Sequence, residues 1–207
     1  MSREPTPTPP MTAPASGGSP QLQFLSPKIS KKNGPEIPRK MVEKILLCRR
    51  DSAQAVRDLF GVEPDIWQLD ACAAWDRGDM RIALCACKGP GKTAWLAWMI
   101  WIFLLTRRKS AVAATSVTGD NLRDCLWTEL ARWQAVPSAA ILQATFEWQK
   151  ERIVAKDNPN IHWASARTWS KSADIQQQAD TLAGLHAKNI LFVIDEAGGV
   201  PDAVAVS

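Results

Sequence analysis

The chain has 207 residues, enough for one substantial core plus a tail, and carries 25 Lys and Arg against 21 Asp and Glu. The formal charge of +4 resides wholly in residues 1–40, which hold six cations and two anions. Residues 41–207 are formally neutral, so net charge is no argument for a nucleic-acid-binding body, and any such surface has to be a local patch. Five cysteines, an odd count without metal-ligand clustering, read as free thiols. Met1–Pro20 has no apolar segment of the kind that opens a secretory leader, and Ala94–Leu105 is too short to span a bilayer. A cytoplasmic protein with no membrane association is expected.

Residues 1–38 contain nine of the fourteen prolines, with Ser, Thr and Gly, and read as a disordered tail. Its basic end, Lys28, Lys31, Lys32, Arg39 and Lys40, reads as a solvated linker. Residues 39–80 read as a helical segment. Met41, Ile45, Leu46 and Cys48 mark one helix. Asp51 or Ser52 caps a second, with Val56, Leu59 and Phe60 inward and Gly61 as its stop. A third runs from Ile66 to about Trp75 and ends at Arg77-Gly78-Asp79.

From residue 81 the pattern changes to alternating strands and helices. Arg81–Ala86 is predicted as the first core strand and Thr93 to about Thr106 as an apolar helix. Between them lies Cys87-Lys88-Gly89-Pro90-Gly91-Lys92-Thr93. A strand, a glycine-containing loop, Gly-Lys-Thr and a helix form a site for a nucleoside triphosphate. The loop amides and the helix N-terminus favour phosphate oxygens. Lys92 reaches the β- and γ-phosphates, and the Thr93 hydroxyl ligates Mg²⁺. Ala86 occupies a position where the full pattern has glycine, so the turn is expected to depart from the commonest form. The strand–turn–helix corner with a chance Gly-Lys-Thr is the plainer alternative.

Ser110–Ser116 is predicted as a strand, and Thr118-Gly119-Asp120 as the cap of a helix over about Asn121–Trp133. Phe146–Ala155 and Ile161–Ala166 read as two strands around the turn Asp157–Asn160. Ser170–Leu185 is polar and reads as partly helical. Asn189–Ile194 is a continuous apolar run, predicted as a buried parallel strand and followed by Asp195-Glu196. Carboxylates at the C-terminal end of such a strand stand where ligands bind in open α/β sheets. Asp195 is suited to hold Mg²⁺, and Glu196 to orient or deprotonate the attacking water. The fold expected is α/β, a mostly parallel sheet flanked by helices with one antiparallel excursion.

These pieces together resemble the ATPase domain of the large terminase subunit of tailed phages, a P-loop NTPase of the RecA/ASCE type. Trp67-Gln68 is similar to the family's adenine-binding motif, and Ala86–Thr93 to its deviant P-loop. Thr115–Asp124 is similar to the segment after its second strand. Ala166–Ser170 and Leu182–His186 resemble the stretch before its Walker B strand, and Ile194–Asp202 that strand's end and following loop. The resemblance spans Trp67 to Pro201. It implies that Gln68 hydrogen-bonds the adenine edge, with Trp67 either packed nearby or in the core. It implies that Lys88 stands where the family often has an arginine that stabilises charge on the transferring phosphoryl group. Lysine supplies the charge without the planar fork. Arg167 reads as a structural salt bridge rather than a phosphate or DNA contact.

The resemblance further implies ATP and Mg²⁺ as ligands. It implies hydrolysis that powers translocation and packaging of viral double-stranded DNA into procapsids. The partners it implies are a portal protein, a small terminase subunit and further copies of the chain. Complete family members continue into a coupling motif and a nuclease domain. This chain has neither, so 81–207 reads as an incomplete ATPase core and nuclease activity is expected to be absent. Two other readings stay open: a helicase-like ATPase dependent on nucleic acid, and an inert fragment that binds nucleotide without turnover.

Overall fold

A computed structural model describes residues 39–168 and 185–199. The expected tail, most of the expected helical stretch after Ser170, and the end of the segment matched around Asp202 lie outside the described residues.

Three helices come first: α1 (Arg39–Arg50), α2 (Ser52–Phe60) and α3 (Ile66–Arg77). Their ends follow local chemistry. The Asp51 carboxylate accepts the Gln54 amide at 2.8 Å, and Asp76 accepts the Ser52 amide at 3.0 and 3.1 Å, so the start of α2 is capped twice. Gly61 and Gly78 close α2 and α3 with φ of 68° and 83°. α4 (Lys92–Thr106) follows and is apolar around its whole circumference. A helix of that kind has to be central, and α4 packs against α1, α2, the sheet and the later helix α6. The Trp101 indole N–H donates to the Leu130 carbonyl at 3.0 Å, which satisfies its polar atom at the centre of the core.

β1 (Ser110–Thr115) is buried along its whole length. After it the chain turns through α5 (Gly119–Asn121), a π-helical turn (Leu122–Trp127) and α6 (Thr128–Ala135). The Thr118 hydroxyl accepts the Asn121 amide at 3.1 Å and caps this composite helix. A 3₁₀ turn and α7 (Ala140–Thr145) lead to β2 (Phe146–Gln149), β3 (Arg152–Ala155) and β4 (Trp163–Ala166); β5 (Asn189–Ile194) is the last strand described. The strand order is β2-β3-β4-β1-β5. β1 pairs in parallel with β4 and β5, whereas β2–β3 and β3–β4 are antiparallel.

Several expectations are corrected. The sheet is mixed rather than mostly parallel. The expected strand Phe146–Ala155 is a hairpin, because the chain reverses at Lys150, with φ of 52°, and Glu151. β5 is parallel but only half buried: Ile190 and Phe192 are exposed while Val193 is buried. The expected strand at Arg81–Ala86 does not form. That segment has no ladder partner among the described residues; Ile82 and Leu84 lean on the core while Ala83, Cys85 and Ala86 face outward. Its residue types suit a strand, but a strand is completed by a neighbour that takes its N–H and C=O groups. β5 stands at the end of the sheet order, with its outer edge unpaired among the described residues.

Candidate functional site

The loop before α4 is shaped by two glycines. Gly89 and Gly91 both have φ of 89°, a left-handed conformation that L side chains rarely adopt. Ala86 is not among the residues with positive φ, so its methyl group is accommodated without strain and the turn is made by the glycines that follow. Gly91 is the cap of α4, and Lys92 and Thr93 form that helix's first turn. The Lys92 ammonium donates to the Ala86 and Cys87 carbonyls at 2.9 and 2.6 Å. Lys88 and Gly89 are exposed, and Pro90 and Thr93 are half-buried.

β5 delivers Asp195 by continuing its parallel register with β1. The Asp195 amide donates to the Thr115 carbonyl at 2.9 Å, one step beyond the paired strands. Asp195 is buried, and burial raises its carboxyl above the ordinary range. The Glu196 charge adds to the rise, while the Glu196 backbone N–H and the Lys92 ammonium oppose it. No salt bridge joins Lys92 to Asp195 among the described residues. Glu196 is exposed, with φ of 57°. A non-glycine residue in that region stores of order 1 kcal/mol of strain, and such residues cluster at functional sites. Its carboxylate accepts the Asn121 side-chain N–H at 3.0 Å. Burial first, then the charges of Asp195, Glu196 and Asp124, raise the Cys125 thiol, against the opposite pull of Lys88.

Of the residues singled out in the sequence, Lys88, Gly89, Pro90, Gly91, Lys92 and Thr93 form the loop and the first turn of α4, and Asp195 and Glu196 follow the end of β5. Gln68 is buried and also reaches the loop: its side-chain N–H donates to the Gly91 carbonyl at 3.3 Å. Trp67 is half-buried and packs on the core. Arg167 forms no salt bridge among the described residues, contrary to expectation. Its guanidinium lies over the Trp163 ring, 5.7 Å from the centroid, and donates to the Ser165 hydroxyl at 3.3 Å. Asn121 was not legible as a site residue, because its pairing with Glu196 spans 75 positions and leaves no local signature.

The loop and carboxylates fit a Mg²⁺-bound triphosphate. The glycines give the backbone its turn at the head of α4, where Lys92 and Thr93 begin the helix, and the carboxylates available at the end of β5 are the buried Asp195 and the exposed Glu196. Mg²⁺ ordinarily takes one or two carboxylates and completes its shell with water and phosphate oxygens. Among the described residues no group of three or more His, Cys, Asp or Glu could hold a metal without such help.

In class, the protein is α/β, with a five-stranded mixed sheet flanked by helices. The chain matches no protein-family model and no curated protein. Among the described residues no helix is long and apolar enough to cross a membrane.

Proposed function

We propose that the chain is an ATP hydrolase of the P-loop type, the ATPase portion of a phage or prophage large terminase subunit. The observation that carries the hydrolase reading is the loop itself: Gly89 and Gly91, both at φ of 89°, open α4 at Lys92-Thr93, and the Lys92 charge acts on the buried Asp195 at the end of β5. The motor reading, with double-stranded DNA, portal, small subunit and further copies as partners, rests on the resemblance described above.

The proposed chemistry follows from charge and position. The open amides at the start of α4 and the Lys92 ammonium take the phosphate oxygens, and Lys92 exchanges its bonds to the Ala86 and Cys87 carbonyls for them. Thr93 and Asp195 hold Mg²⁺, which supplies further positive charge at the phosphates. Glu196 orients a water in line with the bond to be broken, and Asn121 fixes the direction of that carboxylate. Lys88 adds charge from the loop's exposed side. Steady-state hydrolysis with Lys92→Ala and Glu196→Gln tests the reading: turnover is expected in the parent and lost in both variants. If both keep the parent's rate, the assignment is wrong.

One observation favours a second reading, nucleotide binding without turnover. The segment leading into the loop, residues 81–87, lacks a ladder on either side among the described residues, so the loop's entry is held by side chains alone. Binding of a non-hydrolysable ATP analogue by a chain that shows no hydrolysis would select it.

A further inference from the structure

We infer that Gln68 is a positioning residue for the phosphate loop, acting on the triphosphate independently of the base; this rests on the nucleotide reading above. The side chain is 4% exposed and sits in the first turn of α3. Both ends of its amide are engaged. The carbonyl oxygen accepts the Asp65 amide at 2.8 Å, tying it to the start of its own helix. The amide nitrogen donates to the Gly91 carbonyl at 3.3 Å, across 23 positions of chain. A primary amide has two N–H donors and a carbonyl oxygen with two lone pairs, so one N–H and one lone pair stay free, and the tether to Gly91 is made whether or not a base is bound.

Gly91 is where that tether matters. It is the left-handed residue at which the loop becomes α4, and its carbonyl also accepts the Trp95 amide at 3.0 Å. Gln68 therefore holds the carbonyl that opens the helix, one residue before Lys92 and two before Thr93. The approach is close: a Cβ at position 91 would lie 2.9 Å from the Gln68 amide nitrogen. Glycine at 91 thus answers two demands at once, the φ of 89° and the space that Gln68 takes. A residue that fixes the loop in this way affects every ligand with the same phosphates, whichever base it carries.

Calorimetric titration with ATP, GTP and tripolyphosphate, each with Mg²⁺, tests this, because tripolyphosphate has no base. In Gln68→Glu the carboxylate still accepts the Asp65 amide but has no donor for Gly91. Losing that bond and facing two acceptors at each other is expected to weaken ATP and tripolyphosphate by the same factor, about tenfold, with the ATP-to-GTP ratio unchanged. Gln68→Met removes both bonds and carries the same expectation if the first variant does not fold. Weakened ATP with unchanged tripolyphosphate makes Gln68 a base reader and overturns the inference. Unchanged affinity for both in Gln68→Glu makes it only a helix cap, which also overturns it. If the parent binds neither ligand, the nucleotide reading fails, and hydrogen exchange at the amides of Gly89, Gly91, Lys92 and Thr93 then decides the tether. Faster exchange in Gln68→Glu supports it, and unchanged exchange overturns it.

Discussion

Two stretches with similar sequence character end in different states. β1 and the segment Arg81–Ala86 are both short runs made mostly of small and apolar residues. β1 lies between β4 and β5, is bonded on both edges and is buried at every position. Arg81–Ala86 has no ladder partner among the described residues and exposes four of its six residues. Composition is therefore not what makes β1 a strand; two neighbours are. The same contrast separates stability from chemistry here. Folding energy concentrates in α4 and the strands beneath it, while the loop beyond the unpaired segment is lightly held and carries the cations.

The contrast is most directly probed at its buried end. Trp101 is fully buried in α4 and its indole is hydrogen-bonded. Trp101→Ala is expected to cost about 3–5 kcal/mol in denaturant unfolding. A cost below about 1 kcal/mol would place the folding energy elsewhere. On the other side, Leu84→Ala removes a half-buried side chain that leans on the core from an unpaired segment, and a cost of about 1 kcal/mol is expected. A core-sized loss there would mean that 81–86 is paired in solution.

The pH dependence sharpens the comparison. His162 is buried, and its ring bonds the Leu104 carbonyl at 2.9 Å. Burial first, and the Arg108 charge less, hold it below the ordinary 6.5, against the opposite pull of the Leu104 bond and Asp157. The unfolded chain then takes up the proton first. Its contribution to stability is present in full above pH about 6.5 and is lost as pH falls from there toward the lower folded value. Thermal unfolding of the parent and His162→Gln should diverge in slope over that range; identical slopes would count against a buried neutral imidazole. Asp195 has the opposite sign. Its raised carboxyl means that the folded state takes the proton first, so acid favours folding at this group while removing the charge that the proposed Mg²⁺ site would use.

The smallest stability effect is expected at Lys92. Its ammonium bonds only loop carbonyls, so Lys92→Ala should leave unfolding within about 0.5 kcal/mol of the parent. The proposed hydrolysis should nevertheless be lost. A large destabilisation would make Lys92 a structural staple of the loop.

Much of the fold was legible where local chemistry decides. Asp51 and Gly61 bracket α2 as their side chain and backbone require, Gly78 ends α3, and the unbroken apolar character of α4 placed it at the centre. β1 and β5 lie where their apolar runs put them. What failed was non-local. Nothing within Arg81–Ala86 says whether a partner strand stands beside it. The reversal at Lys150 lacks the glycine or asparagine that ordinarily marks such a turn, so two strands read as one. The place of Gly91 and Lys92 at the start of α4, and of Asp195 and Glu196 at the end of β5, was legible from residue type and spacing. The Asn121–Glu196 bond and the Gln68–Gly91 tether were not, because each joins residues brought together only by the fold.

The central claim is that Lys92 and Asp195 bound one Mg²⁺-triphosphate site. Calorimetric titration of ATP into the parent and Asp195→Asn, with and without Mg²⁺, tests it most directly. The account predicts binding by the parent that is strengthened by Mg²⁺, and loss of that strengthening in Asp195→Asn. Binding that is indifferent to Mg²⁺ in both proteins, or no binding to the parent at all, would contradict it.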